Sequence, residues 1–157
     1  MTRVPVTAGP GNLGPTPVPT LLDRGFHVTV VDSFMYGQDS LAAVCHRPEF
    51  ALVRGDVRSV DTMRPLLKNA DIIIPLAALV GAPLCDRDPL AATSTNLTAI
   101  VQMLDHLSRE QRVLLPVTNS GYGVGEAGKF CTEDTPIRPI SLYGRDKVEV
   151  ERILLDR

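Results

Sequence analysis

Tyr143 and Lys147 stand four residues apart in the segment Tyr143-Gly144-Arg145-Asp146-Lys147, with Thr118 upstream where a strand should finish. Residues i and i+4 of a helix lie one above the other on a single face, which puts the Lys147 ammonium beside the Tyr143 hydroxyl. A neighbouring cation favours the phenolate. A phenol that ordinarily titrates near pH ~10 needs such a neighbour to act as a base close to neutrality. Tyr143 as base, Lys147 as its positive neighbour and Thr118 as hydrogen-bond donor form a proton-transfer set. The same spacing also suits a half-buried tyrosine beside a solvated lysine on a surface helix, so its meaning depends on the elements around it.

Those elements can be read from short apolar runs. Residues 4–7, 28–32, 50–53, 71–74 and 113–118 are β-branched and nearly continuously apolar, as strands covered on both faces must be. Helical stretches separate them. The longest is predicted over 89–108, where Leu97, Ile100, Val101, Leu104 and Leu107 make an apolar stripe. A second is predicted over 142–155, and shorter ones over 39–45 and 61–69, the latter kinked or shortened by Pro65. Alternating strands and helices imply an α/β fold, a Rossmann-type doubly wound parallel sheet. A chain of 157 residues fits one domain.

After the first strand comes Thr7-Ala8-Gly9-Pro10-Gly11-Asn12-Leu13-Gly14. Glycines there let the backbone turn tightly and offer N–H groups to a pyrophosphate at a helix N-terminus. The alternative is an ordinary glycine-rich loop. Asp32 closes the second strand, where a carboxylate can take both hydroxyls of an adenosine ribose and repels a 2′-phosphate, so NAD is preferred to NADP.

The hydrophobic share of 44%, charged share of 22% and net charge of −2 are ordinary for a globular protein and give no sign of a nucleic-acid or membrane partner. The longest apolar run, residues 72–80, falls well short of the ~18 residues a membrane helix needs. No signal-peptide pattern follows Met1. Cys45, Cys85 and Cys131 match no zinc or haem spacing, and His27, His46 and His106 are scattered, so no metal is expected and a reducing cytoplasm fits.

Taken in order, the glycine turn, Asp32, Thr118 and Tyr143 with Lys147 resemble the extended short-chain dehydrogenase/reductase family, specifically its NAD-dependent nucleotide-sugar epimerases and dehydratases. The resemblance covers essentially the whole chain. Residues 4–14 lie over the family's first strand and Thr-Gly-Gly-x-Gly-x-x-Gly turn, which implies cofactor contacts at Gly9, Gly11, Asn12, Leu13 and Gly14. Val31-Asp32-Ser33 lies over the ribose-binding strand end. Gly55-Asp56-Val57 is similar to the segment whose Asp meets adenine. Leu76-Ala77-Ala78 is similar to the segment lining the cofactor after the fourth strand, and Asn96 falls on an asparagine of the following helix. Thr118-Asn119-Ser120-Gly121-Tyr122-Gly123 resembles the family's Ser/Thr-x-x-x-Tyr-Gly segment, and Glu133-Asp134-Thr135-Pro136 its approach to the catalytic helix. The resemblance implies Thr118, Tyr143 and Lys147 as catalytic residues, Tyr143 and Lys147 also touching NAD, a nucleotide-sugar substrate, and a homodimer paired through the helices at 89–108 and 142–155.

The chain departs from the family's pattern at several points. Ala8 replaces the first turn glycine, Pro15, Pro17 and Pro19 fall in the first helix, Pro5 lies inside the first strand, and Pro75 stands where many relatives have His. A proline inside a helix removes a hydrogen bond and costs about 3 kcal/mol. The first helix is therefore expected to begin at Pro19 or later, or to be distorted. The chain also ends with the catalytic helix, which implies truncation before the C-terminal substrate-binding part. The competing readings are a non-catalytic dinucleotide-binding relative and an inactive fragment. Residues 126–134, polar and glycine-containing, are expected to form a mobile loop.

Overall fold

The computed structural model describes residues 1–125, 128 and 130–157; Glu126, Ala127 and Lys129 of the expected 126–134 loop lie outside the described residues. The contacts group the chain into two compact units, Met1–Ala77 with Gln102–Leu115, and Ala78–Val101 with Pro116–Arg157.

The first unit holds the sheet. Strands β1 (Arg3–Thr7), β2 (His27–Asp32), β3 (Phe50–Arg54), β4 (Ile72–Pro75) and β5 (Arg112–Val113) run parallel in the order β3-β2-β1-β4-β5. This is the doubly wound, Rossmann-type arrangement expected from the alternation of elements. Register pairs Val4 with Val28 and Val6 with Val30, and the two-residue strand period turns all four to one face. There they pack with Ile74, with Val18 and Leu22 of α1 (Pro17–Asp23), and with Leu41 and Val44. The helix expected over 39–45 is only a 3-10 turn, Ala42–Val44. Helix α2 (Val60–Leu67) forms despite Pro65, because Ser59 caps its start by accepting the Thr62 N–H and because Met63 and Leu67 are buried.

Two groups of prolines find positions that tolerate them. Helix α1 begins at Pro17, earlier than expected, with Thr16 as N-cap. Pro17 and Pro19 are then its first and third residues, and the first turn of any helix has N–H groups with no intrahelical acceptor. The Thr20 hydroxyl adds a bond back to the Thr16 carbonyl, 2.8 Å away. In β1, the Arg3 carbonyl accepts the Asp71 N–H, so odd-numbered residues point their backbone groups toward β4 and the missing N–H of Pro5 falls on that side. The β1–β2 ladder keeps five register pairs from Arg3 to Thr7, whereas the β1–β4 ladder has two, Val6 with Ile74 and Thr7 with Pro75. The strand expected over 113–118 is also shorter. It is confined to Arg112–Val113 at the sheet edge, followed by one more bond, Leu114 N–H to the Ile73 carbonyl, before Pro116.

The second unit is helical. It contains α3 (Ala82–Arg87), which the sequence pattern did not reveal, α4 (Pro89–Thr93), a π-helical turn (Ser94–Thr98) and the first three residues of α5 (Ala99–Asp105), whose remainder is assigned to the first unit. The single helix expected over 89–108 is thus interrupted by a wider turn and stops at Asp105. A 3-10 turn (Asn119–Tyr122) precedes α6 (Leu142–Leu155), which has the expected boundaries and packs on α3, α4, the π turn and the 3-10 turn. Among the described residues no helix is long and apolar enough to cross a membrane.

If Pro19 is unstrained, Pro19→Ala lowers stability by about 0.4–1 kcal/mol, through the freer unfolded chain alone. Urea denaturation checks this. A gain approaching ~3 kcal/mol would instead mean that Pro19 disrupts the helix.

Candidate active site

In the first unit the strand order reverses between β1 and β4, and α/β sheets take ligands in the crevice beyond the C-terminal strand ends at such a point. The glycine turn leaves β1 there. Ala8 donates its N–H to the Val31 carbonyl at 2.8 Å and has φ +56°, in the left-handed region. An L-residue bears about 1–2 kcal/mol for that conformation, so the substitution of alanine for glycine is carried as backbone strain. Gly14 is required for a different reason. A Cβ there would overlap the Gly9 carbonyl, against which the turn folds back. Gly11 has more room, and Asn12 and Leu13 face solvent. Across the crevice the Thr7 hydroxyl accepts the Ala77 N–H at 2.9 Å, tying the end of β1 to the half-buried Leu76-Ala77 segment.

Asp32 is half-buried at the end of β2, with exposed Ser33 next to it. One carboxylate oxygen accepts the Phe34 N–H at 2.6 Å. Asp56 is more fully engaged. Its carboxylate accepts Arg58 Nε at 3.0 Å and Nη2 at 2.6 Å, and this guanidinium holds the carboxyl below the usual range against the opposing effect of burial. The carboxylate expected at adenine is thus paired within its own loop, beside half-buried Val57.

The second unit carries the proton-transfer residues. Thr118 is extended and its hydroxyl oxygen accepts the Ser120 N–H at 3.2 Å, capping the 3-10 turn. Accepting leaves its own O–H proton available for donation. Ser141 caps α6 by accepting the Gly144 N–H at 3.1 Å, which places Tyr143 and Lys147 in the first two turns. A Cβ on Gly144 would stand 2.9 Å from the Ser120 carbonyl oxygen. Glycine therefore permits the close approach that brings α6 against the turn beginning at Thr118.

The electrostatics differ from the simplest reading of the spacing. Burial pushes the half-buried Tyr143 phenol above its ordinary value, with the Cys85 thiol acting in the same direction. The expected lowering by Lys147 does not prevail. Lys147 is itself 5% exposed, and burial lowers its ammonium below the ordinary lysine value. Among the described residues no carboxylate makes an ion pair with it.

Asn96 is fully buried, and both ends of its amide engage one residue. Its oxygen accepts the Leu79 N–H at 2.8 Å and its nitrogen donates to the Leu79 carbonyl at 2.9 Å. Expected as a cofactor contact, Asn96 here fixes the backbone just after Ala78. Buried Cys85 and Asp146 and half-buried Thr93 complete a polar cluster that no spacing in the sequence announces; only Ser141, three residues before Gly144, bears the mark of a cap. Among the described residues no group of three or more His, Cys, Asp or Glu could hold a metal.

The model of the NAD dependent epimerase/dehydratase family matches residues 4–157. The chain belongs to this family. A UDP-glucose 4-epimerase of Lactobacillus helveticus is 26% identical over 155 residues, covering 97% of this chain and 46% of the relative. The structure of a Thermus thermophilus UDP-glucose 4-epimerase in complex with NAD superposes with a TM-score of 0.86 at 25% identity, over 99% of this chain and 50% of that one. DesIV, a dTDP-glucose 4,6-dehydratase from Streptomyces venezuelae with NAD bound, gives 0.85 at 27% identity, over 97% and 50%. The chain spans about half the length of the family members it matches.

Two outcomes follow from this geometry. Ala8→Gly relieves the left-handed strain and raises stability by about 1 kcal/mol in urea denaturation. Lys147→Met raises the melting temperature at pH 7, because a buried charge is replaced by a chain of similar volume. A depressed folded-state pKa penalises the folded protein while the lysine is charged and releases it as pH rises past the ordinary value near 10.5. The advantage of Lys147→Met therefore shrinks between pH 7 and pH 10.5, as melting curves across that range measure.

Proposed function

We propose that the chain is the NAD-binding and proton-transfer part of an NAD-dependent epimerase or dehydratase acting on a nucleotide sugar. The observation that carries this reading is Lys147, a lysine only 5% exposed and one turn after Tyr143, for whose ammonium the described residues supply no counter-ion. Burying a charge is expensive unless something pairs or hydrogen-bonds it, and hydroxyls of a bound ribose and the Tyr143 oxygen are suitable acceptors. The turn fits the dinucleotide too. It lies at the strand-order reversal, and Gly14 folds it back on Gly9 with Gly11 to Leu13 left facing outward.

In this reading Gly9, Gly11, Asn12, Leu13 and Gly14 hold the pyrophosphate, and the free oxygen of Asp32 takes the adenosine ribose, with Ser33, Asp56 and Val57 beyond it. Leu76, Ala77 and Ala78 line the cofactor, their course fixed by Thr7 and Asn96. NAD, when bound, supplies a nicotinamide that takes up a hydride and returns it. Tyr143 removes the proton from a sugar hydroxyl, Thr118 donates a hydrogen bond to the same oxygen, and Lys147 holds the nicotinamide ribose and supports the phenolate. Because burial holds the Tyr143 phenol high, the base form grows as pH rises. The outward-facing Leu90 and Leu155, 86% and 79% exposed, support pairing of two copies through the helices that begin at Pro89 and Leu142. Three free cysteines fit a reducing cytoplasm.

A second reading, a dinucleotide-binding relative without turnover, draws on the strain at Ala8 and the raised phenol. In a protein of the relatives' length, kcat/KM is expected to rise with pH on the alkaline side, and Tyr143→Phe is expected to lower kcat by at least about 100-fold, the scale of general-base catalysis. Retained turnover in Tyr143→Phe would remove Tyr143 from its role. Calorimetry on this chain is expected to give tighter binding of NAD than of NADP, and the reverse order would refute the role of Asp32.

A further inference from the structure

Asp146 sits between the two residues of greatest chemical interest and has no part in the reading above. It lies three residues after Tyr143 and one before Lys147, is 5% exposed, and accepts a hydrogen bond from the Thr93 hydroxyl at 3.1 Å. Thr93 ends α4, where the helix widens into the π turn, and three residues later Asn96 clamps Leu79. Wide turns of this kind re-aim side chains within a helix. Here the helix directs one polar group to α6 and another to the Leu79 backbone.

A carboxylate on a residue only 5% exposed, for which the described residues supply the Thr93 hydroxyl as donor, is an unfavourable use of a charge, since an apolar side chain of similar volume would pack at lower cost. Burial raises the Asp146 carboxyl, with the Thr93 hydroxyl and Arg145 opposing. What the carboxylate supplies instead is a directional contact. Gly144 sets how closely α6 approaches the 3-10 turn at Ser120, and apolar packing, Val150 above all, seats the helix, but neither supplies a directional bond that selects its rotation. The Thr93 hydroxyl donating to Asp146 is a directional contact of that kind. Tyr143, Asp146 and Lys147, at i, i+3 and i+4, share a face and turn together.

We propose that Asp146 is a positioning residue: by accepting the Thr93 hydroxyl, it locks the rotation of α6 and with it the places of Tyr143 and Lys147. The inference rests on the reading of those two side chains as working groups. The Cys85 thiol of α3 acts on the Tyr143 phenol, and Asp86 and Asp146 act on Cys85 in turn; residues 89–98 carry no titratable side chain.

The test uses this chain with ring-labelled tyrosine. Its three tyrosines, Tyr36, Tyr122 and Tyr143, are followed by NMR against pH. Thr93→Val keeps the charge and removes the tether; Asp146→Asn removes the charge and keeps an acceptor. Thr93→Val is expected to move the Tyr143 resonance and lower its titration midpoint by about half a pH unit, as a loosened helix exposes the phenol. Tyr36 should not move, and Asp146→Asn should leave Tyr143 as in the parent. An unchanged Tyr143 in folded Thr93→Val would overturn the proposal. So would an equal shift in Asp146→Asn, which would make charge, not the tether, responsible. If Thr93→Val does not fold, Asp146→Ala is the second tether-free variant and must give the same Tyr143 shift. The readout needs neither NAD nor turnover, so its failure is separate from that of the dehydrogenase-type reading, which Tyr143→Phe decides.

Discussion

Consecutive residues of α6 bury opposite charges, and the packing of the second unit is organised around that demand. Asp146 and Lys147 are each 5% exposed, yet neighbouring positions on a helix point about 100° apart, so one cannot neutralise the other directly. Asp146 finds a hydroxyl on α4, whereas the lysine is left without a carboxylate partner among the described residues. Gly144 and Ser141 fix the start of the same helix, one by lacking a side chain and the other by capping. Val150 is the only α6 hydrophobe fully enclosed among the described residues, with Leu142, Val148, Ile153 and Leu154 half-buried around it.

The first unit depends on the reverse arrangement. Its valines, matched in register across β1 and β2, make a dry layer under α1, and polar groups gather at the C-terminal strand ends. Thr7 is the exception that joins the two roles. Its backbone belongs to β1 and its buried hydroxyl holds the chain leaving β4. Departures from the family's glycine and proline pattern are absorbed locally, Ala8 by adopting a left-handed conformation and Pro17 and Pro19 by occupying the first turn of α1.

Much of this could be read from the residues. The strand runs that become β1 to β4 are β-branched and bounded by turn residues, and the bounds of α6 follow from Ser141 at its cap and its apolar spacing. Other features depended on tertiary context. The edge position of β5 and Pro116 shorten a run that looks like a full strand. Helix α3, six residues with proline near its start, carries too few turns for a periodicity. The π turn leaves no mark in composition. At the candidate site, the positions of Thr118, Tyr143 and Lys147 were legible because their chemistry depends on residue type and spacing. The direction of the Tyr143 shift was not, because it comes from burial and from Cys85, fifty-eight residues away in sequence. The Asn96 clamp and the Arg58 pairing of Asp56 likewise depend on contacts that no single segment specifies.

Pro5 has a mechanical consequence for the sheet. Pro75 lacks its N–H on the side of β4 that faces β5, whereas Pro5 removes an N–H from the β1 side that faces β4, where the ladder has two register pairs, against the five of β1–β2. A sheet loaded along this junction has few bonds to shear before it parts, and the Thr7 hydroxyl acts as a rivet at the open end. The turn that would cradle a dinucleotide therefore leaves a strand held by five register pairs on one side and by two, with the Thr7 hydroxyl, on the other.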